Sequence, residues 1–331
     1  MRDTLVIHQQ SIQPGCQVMI DLPLPRLTTQ TQVTMPIHVI RGKKSGPRLL
    51  VCAAIHGDEL NGIEIIRRLL KQSALNRLCG DLIAVPMVNV YGIIHSTRNL
   101  PDRRDLNRSF PGSKKGALAE RLAELFMSEV VTKCTHGIDL HTGAIHSSNL
   151  PQIRADLDHA ETLALAKSFN APVLLNANLR NGSLRQAATQ AGIPILLYEG
   201  GEALRFDETA IRAGLQGILN VMRHLGMLSA QKIRKPSATK SLIANNSQWI
   251  RASGSGIFSA TKLLGESIQR NDVLGIINDP FSSREIPVIA PCSGLIIGRS
   301  ELPLVHEGEA VFHIAQLGVD HEVTGSSASL R

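Results

Sequence analysis

Aromatic residues are scarce: Phe, Tyr and Trp together make up 3% of the 331 residues, with a single Trp. That is too few rings for a sugar-stacking surface or for the aromatic platform that binds single-stranded nucleic acid. The five cysteines (Cys16, Cys52, Cys79, Cys134 and Cys292) are an odd number without CxxC spacing, and they read as reduced thiols rather than a disulfide frame. No apolar run reaches the length of a membrane span, and the N-terminal MRDTLVIHQQ lacks the apolar core of a signal peptide. The expectation is a soluble cytoplasmic protein with no membrane partner.

What is present supports a substantial core, since 43% of the residues are apolar and the length suits one large domain or two ordinary ones. The net charge is +7, but Lys and Arg are scattered and no basic run interleaves with aromatics. Nucleic acid is therefore not expected as a partner, whereas a small anionic substrate suits the arginines. The composition sets no oligomeric state and is compatible with a homo-oligomer.

The chain is organised around Leu49 to Asn61, LLVCAAIHGDELN. Its apolar run, Leu49 to Ile55, reads as a buried strand that stops at His56-Gly57-Asp58-Glu59. A helical pattern begins near Asn61, and the plain alternative to a site here is a polar strand-to-helix turn with Asp58 or Asn61 capping the helix. His56 and Glu59 thus stand at the C-terminal end of a strand, where open α/β sheets place ligands. An imidazole and a carboxylate are also what a catalytic zinc takes, given a third ligand. HxxE alone is weak, because two residues at a fixed spacing recur by chance.

Residues 1–47 carry short alternating segments that read as edge strands and turns. Asp81 to Val90 reads as a second apolar strand, interrupted by Pro86. The polar loop from His95 to Gly112, HSTRNLPDRRDLNRSFPG, is long for a mere connection and holds Arg98, Arg103, Arg104 and Arg108. A helix over 116–133 follows. Ile138 to Leu140 is a short strand that puts His141 in the same kind of position as His56. Helices over 156–169, 184–191 and 207–225 surround strands at Pro172 to Leu175 and Ile193 to Tyr198. The latter ends in Glu199-Gly200-Gly201, a carboxylate beside glycines that allow close approach. Alternation of strand and helix predicts a mixed α/β sheet flanked by helices over residues 1–240.

Ser229 to Asn246 reads as a polar linker, and short strands separated by turns then predict a small all-β domain over 247–316. Its phrases NDVLGIIND, APCSGLIIG and EGEAVFHIA resemble the biotinyl/lipoyl-carrier type of β-sandwich. Carriers present a lysine at a hairpin tip, but Pro280 to Arg284 has none, so a carrier role is not expected. Residues 317–331 read as a flexible tail.

HGDE, DLNRSFPG, DLHTG and EGG, in this order, resemble the succinylglutamate desuccinylase/aspartoacylase family of the zinc carboxypeptidase superfamily. The likeness spans roughly residues 48–202. It implies a zinc carboxypeptidase-like fold and one Zn²⁺ held by His56, Glu59 and His141. It implies Glu199 as general base, Asn107 and Arg108 as the grip on a substrate carboxylate, and Asp105 as the carboxylate that orients His56. An arginine that stabilises the oxyanion is also implied, with Arg98 first and Arg103 and Arg104 competing. Arg154 and Arg185 are candidates for a second substrate carboxylate. The implied activity is removal of an acyl group from a small anionic N-acyl amino acid. A metallocarboxypeptidase acting on peptides and a non-catalytic zinc-binding module are the rival readings.

Overall fold

The computed structural model describes residues 2–230 and 241–317. A hairpin of β1 (Leu5–Ile7) and β2 (Gln10–Ile12) precedes the antiparallel pair β3 (Gln17–Pro23) and β4 (Thr34–Arg41). Then β5 (Lys44–Ala53), α1 (Asn61–Leu69), β6 (Cys79–Val85), α2 (Val90–His95), α3 (Leu118–Glu129) and β7 (His136–His141) alternate. They are followed by β8 (Ser147–Ala155), α4 (Ala160–Phe169), β9 (Val173–Asn176), α5 (Leu184–Gln190), β10 (Ile195–Gly201) and α6 (Glu208–His224). The architecture is the expected mixed α/β one.

Two apolar layers sandwich the central sheet. On one face α1, α4 and α6 supply Ile65, Ile66, Leu69, Phe169 and Ile218; on the other α3 and α5 supply Leu122, Phe126, Leu184 and Ala187. These are the apolar positions that recur at helical spacing, and each fully buried Leu or Ile contributes roughly 1.5–3 kcal/mol. The strand β5 lies between β6 and β7, parallel to both, and is buried from Leu49 to Ala53. Its position explains the uninterrupted apolar run.

The structure departs from the sequence reading or adds to it at three places. The strand after α1 stops at Val85, because Pro86 has no N–H for the ladder, and residues 90–95 are helical instead. The cap of α1 is Leu60 with no side-chain bond. Asn61 donates instead to the Gly200 carbonyl at 3.1 Å and accepts from the Asp207 N–H at 3.0 Å, tying α1 to β10 and α6. Ser147 to Ala155, which has no apolar alternation, is a strand.

The C-terminal part contains β11 (Leu242–Arg251), β12 (Gly256–Ala260), β13 (Ser267–Ile268), β14 (Val273–Asn278), β15 (Glu285–Ile289), β16 (Gly294–Ser300), β17 (Leu304–Val305) and β18 (Ala310–Leu317). One sheet of four, ordered β15-β14-β12-β17, packs over the layer made by β13, β16, β18 and β11. That second layer continues the central sheet: β11 pairs parallel with β9, and β16 pairs antiparallel with β8. The strands β8, β9, β11, β18 and β16 therefore close a ring around Val173, Leu175, Ala244, Leu295, Ile297 and Ala315. Pro151 sits at the fork of β8, between the residues paired to β16 and those paired to β9, where no ladder bond needs its N–H. Of the expected linker, 231–240 lie outside the described residues, and Leu242 onward is strand. Apart from Leu317, which ends β18, the expected tail also lies outside the described residues.

Candidate active site

Three neighbouring parallel strands, β5, β7 and β10, end at the same edge of the sheet. His56 follows β5, His141 is the last residue of β7, and Glu199 is its register partner on β10. The sharp turn after β5 then carries Glu59 back between the two histidines. Gly57 makes that turn feasible, since a Cβ there would lie 2.0 Å from the Gly92 carbonyl carbon.

The resulting cluster is buried, with His56, Glu59 and His141 each less than 5% exposed. The Nδ1 atoms of His56 and His141 each stand 2.7 Å from one oxygen of Glu59. Their Nε2 atoms face other carboxylates, Asp105 at 3.1 Å and Asp139 at 2.8 Å. Burial would raise the pKa of Glu59, but the two imidazoles outweigh it and hold the carboxyl well below its usual range. Burial would raise Asp105 as well, but the His56 bond and the Arg98 charge overcome it and hold this carboxyl low. Burial would lower His141, yet Asp139 and Glu59 push it well above its ordinary value.

Each imidazole therefore has an acceptor at both ring nitrogens, whereas a neutral ring donates only once. Either the ring takes a second proton, or its Nδ1 lone pair turns to a cation that Glu59 shares. The ligand atoms of the three residues lie within 4.8 Å of one another and could hold a metal ion. Two imidazoles and a carboxylate, with Nε2 fixed by acceptors, match the donor set and outer partners of a catalytic zinc.

A cavity of about 430 Å³ opens beside this cluster, a size typical of small-molecule sites. Glu199 lines it, anchored by Asn149 Nδ2 at 2.7 Å and Arg154 Nη1 at 3.1 Å. Asn107 and Arg108 also line it; the Asn107 carbonyl oxygen accepts from the Leu184 N–H at 2.9 Å, which fixes the amide plane. Arg98 reaches Glu59 at 3.4 Å and Asp105 at 3.1 Å. Arg185 is buried and donates to the Ala177 and Asn178 carbonyls; burial, then Arg154 and Arg180, bring its pKa down to about 10. Arg104 is not brought to the cavity. It points to Glu120 at 3.6 Å and is half exposed, because Arg103 adopts a left-handed turn that directs the loop outward.

The sequence reading missed Asp139, Asn149, Arg180 and Trp249. Asp139 had a signal, since residues two apart on a strand share a face and it stands two before His141. Arg180 and Trp249 carry none that a single chain reveals: one sits in a loop and the other comes from the C-terminal part.

The chain is similar to known proteins over most of its length. An N-alpha-acetyl-L-2,4-diaminobutyric acid deacetylase of Halomonas elongata is 27% identical over 298 residues, 86% of each chain. A succinylglutamate desuccinylase/aspartoacylase from Rhodobacter sphaeroides superposes with a TM-score of 0.82 at 25% identity, covering 91% of this chain and 96% of that one. The product-bound ectoine utilization protein EutE (DoeB) from Ruegeria pomeroyi does so at 0.79 and 25%, covering 90% and 94%. Fold, site and relatives define a deacylase, a hydrolase of linear amides. Residues 45–225 match the succinylglutamate desuccinylase/aspartoacylase catalytic domain, and the chain belongs to that family.

Proposed function

We propose that the protein is a zinc-dependent amidohydrolase that removes the acyl group from a small anionic N-acyl amino acid, on a zinc carboxypeptidase-like scaffold. The observation that carries this reading is the convergence of His56, Glu59 and His141 at a cavity that Glu199 also lines. One Zn²⁺ per chain would be held by those three residues; when bound, it lowers the pKa of a water to about 7 and polarises a carbonyl.

The protein's own groups do the rest. Asn107 and Arg108 hold the substrate carboxylate, the guanidinium through a bidentate fork that a lysine could not supply. Arg98 faces the scissile carbonyl and stabilises charge that develops on its oxygen. Glu199 takes a proton from the attacking water and passes it to the leaving amine, an effect worth about 10²–10⁴-fold. Asn149 and Arg154 keep the Glu199 carboxylate aimed. Asp105 and Asp139 accept from the outer nitrogens of His56 and His141 and so direct their inner lone pairs inward.

The Halomonas relative is named for an acetylated diamino acid, whereas Arg98, Arg108, Arg154, Arg180 and Arg185 line this cavity. A second substrate carboxylate, met by Arg154 and Arg185, suits that lining better than a basic side chain. The size of the cavity, about 430 Å³, favours a small substrate over a peptide, and a purely binding role is disfavoured by the proposed base and clamp beside the metal residues. The five free cysteines suit a reducing compartment, and we propose the cytoplasm. The test is metal analysis with kinetics on a panel of N-acyl amino acids and one short peptide. Hydrolysis of the peptide alone, or no metal in the active protein, would overturn the proposal.

A further inference from the structure

Trp249 is the sole tryptophan of the chain and the one described residue beyond Ser241 that lines the cavity. It stands on β11, with β9, β8, β10 and β7 between it and the strand that leads to His56. Its register partner on β18 is His313, and the two rings stack with centroids 4.1 Å apart and planes 6° from parallel. His313 is 2% exposed, and burial, then Arg154 and Arg180, pull its pKa down to about 3, so the ring behind the indole is neutral.

The same cross-strand row continues toward the base. His313 pairs with Gly298 on β16, and Gly298 pairs with Asn149 on β8, whose amide holds Glu199. Gly298 keeps the row close: a Cβ there would lie 3.0 Å from both the Asn149 Oδ1 and the His313 Cβ, and would press on both. One face of the indole is thus covered by an imidazole fixed in the sheet, while Trp249 as a whole remains 44% exposed and borders the cavity.

We infer that the Trp249–His313 stack is a specificity wall, which limits the length of the substrate group that reaches away from the His56, Glu59 and His141 cluster. This inference rests on the deacylase reading for its kinetic arm. A backed aromatic plane cannot swing away without losing the stack, so it rejects longer groups by contact, and one methylene in such a pocket discriminates by about 10–200-fold.

Two measurements test it. The first is steady-state kinetics of wild type, Trp249→Phe and Trp249→Ala on two substrate series, one lengthening the acyl chain on a fixed amino acid and one lengthening the amino acid on a fixed acetyl group. Trp249→Ala should raise kcat/KM for the longer members relative to the shortest by about tenfold or more in one series, with Trp249→Phe between. Wild-type ratios in both series for both variants would overturn the wall. The second uses the intrinsic fluorescence of wild-type protein titrated with acetate, succinate, L-aspartate and L-2,4-diaminobutyrate. Emission should respond saturably to at least one. No response to any would overturn the wall, whereas a response in a protein that hydrolyses no acyl amino acid would uphold it and refute the deacylase reading.

Discussion

Replacing Glu199 with Gln keeps the shape of the side chain and its bond from Asn149, but removes the capacity to take a proton. Glu199→Gln should therefore retain full zinc by metal analysis and lose about 10²–10⁴-fold in kcat. Near-normal turnover would exclude Glu199 as the base. Asp139 lies one step further out, 2.8 Å from the Nε2 of His141. Asp139→Asn should weaken metal affinity about 10–100-fold in a chelator-competition titration, with the fold intact by circular dichroism. Arg108→Lys should chiefly raise KM on an accepted substrate, with kcat falling as well only if the clamp also positions the amide. The placement of His56, Glu59, His141 and Glu199 at one edge of the sheet is readable because each follows or ends an apolar strand in a recognisable phrase. Arg104 was misread because nothing in the pair Arg103-Arg104 tells which side chain turns inward. That choice is made by the backbone of Arg103 and by Glu120, sixteen residues beyond Arg104.

Among elements, the turn between β5 and α1 has the least room. A methyl group at Gly57 would lie 2.0 Å from the backbone of α2 at Gly92, so one of the two backbones must shift, and His56 is the neighbour of Gly57 in the chain. Gly57→Ala should lower stability by about 1–3 kcal/mol, read by thermal or denaturant unfolding, and should reduce bound metal in parallel. Unchanged stability and metal content would show that α2 shifts freely. The helices α1, α3, α4 and α6 were legible from their apolar period, and β5, β9 and β10 from their apolar runs. The strand β8 was not, for a physical reason. It lends Asn149 and Arg154 to the cavity and carries Pro151 at its fork, so site chemistry has displaced the alternation that normally announces a strand.

The whole molecule is joined by the ring of β8, β9, β11, β18 and β16, which the sequence did not disclose because strand pairing between distant segments leaves no local pattern. The break in composition near residue 240 suggested separable parts. The ladder from β11 to β9 and from β16 to β8 argues that they are energetically one. Residues 1–230 expressed alone would expose the edges of β8 and β9 and the apolar Val173 and Leu175; residues 241–317 alone would expose β11 and β16. Both fragments should aggregate, and the intact chain should unfold in one calorimetric transition. Two resolved transitions would refute this. The ring also bears on how a substrate arrives. A β-domain hinged on a flexible stalk could act as a gate, and turnover would then track how often it swings open. Here such a swing would have to break two sets of strand pairs, so the mouth should act as a fixed sieve: turnover is expected to be insensitive to solvent viscosity except at the diffusional encounter itself.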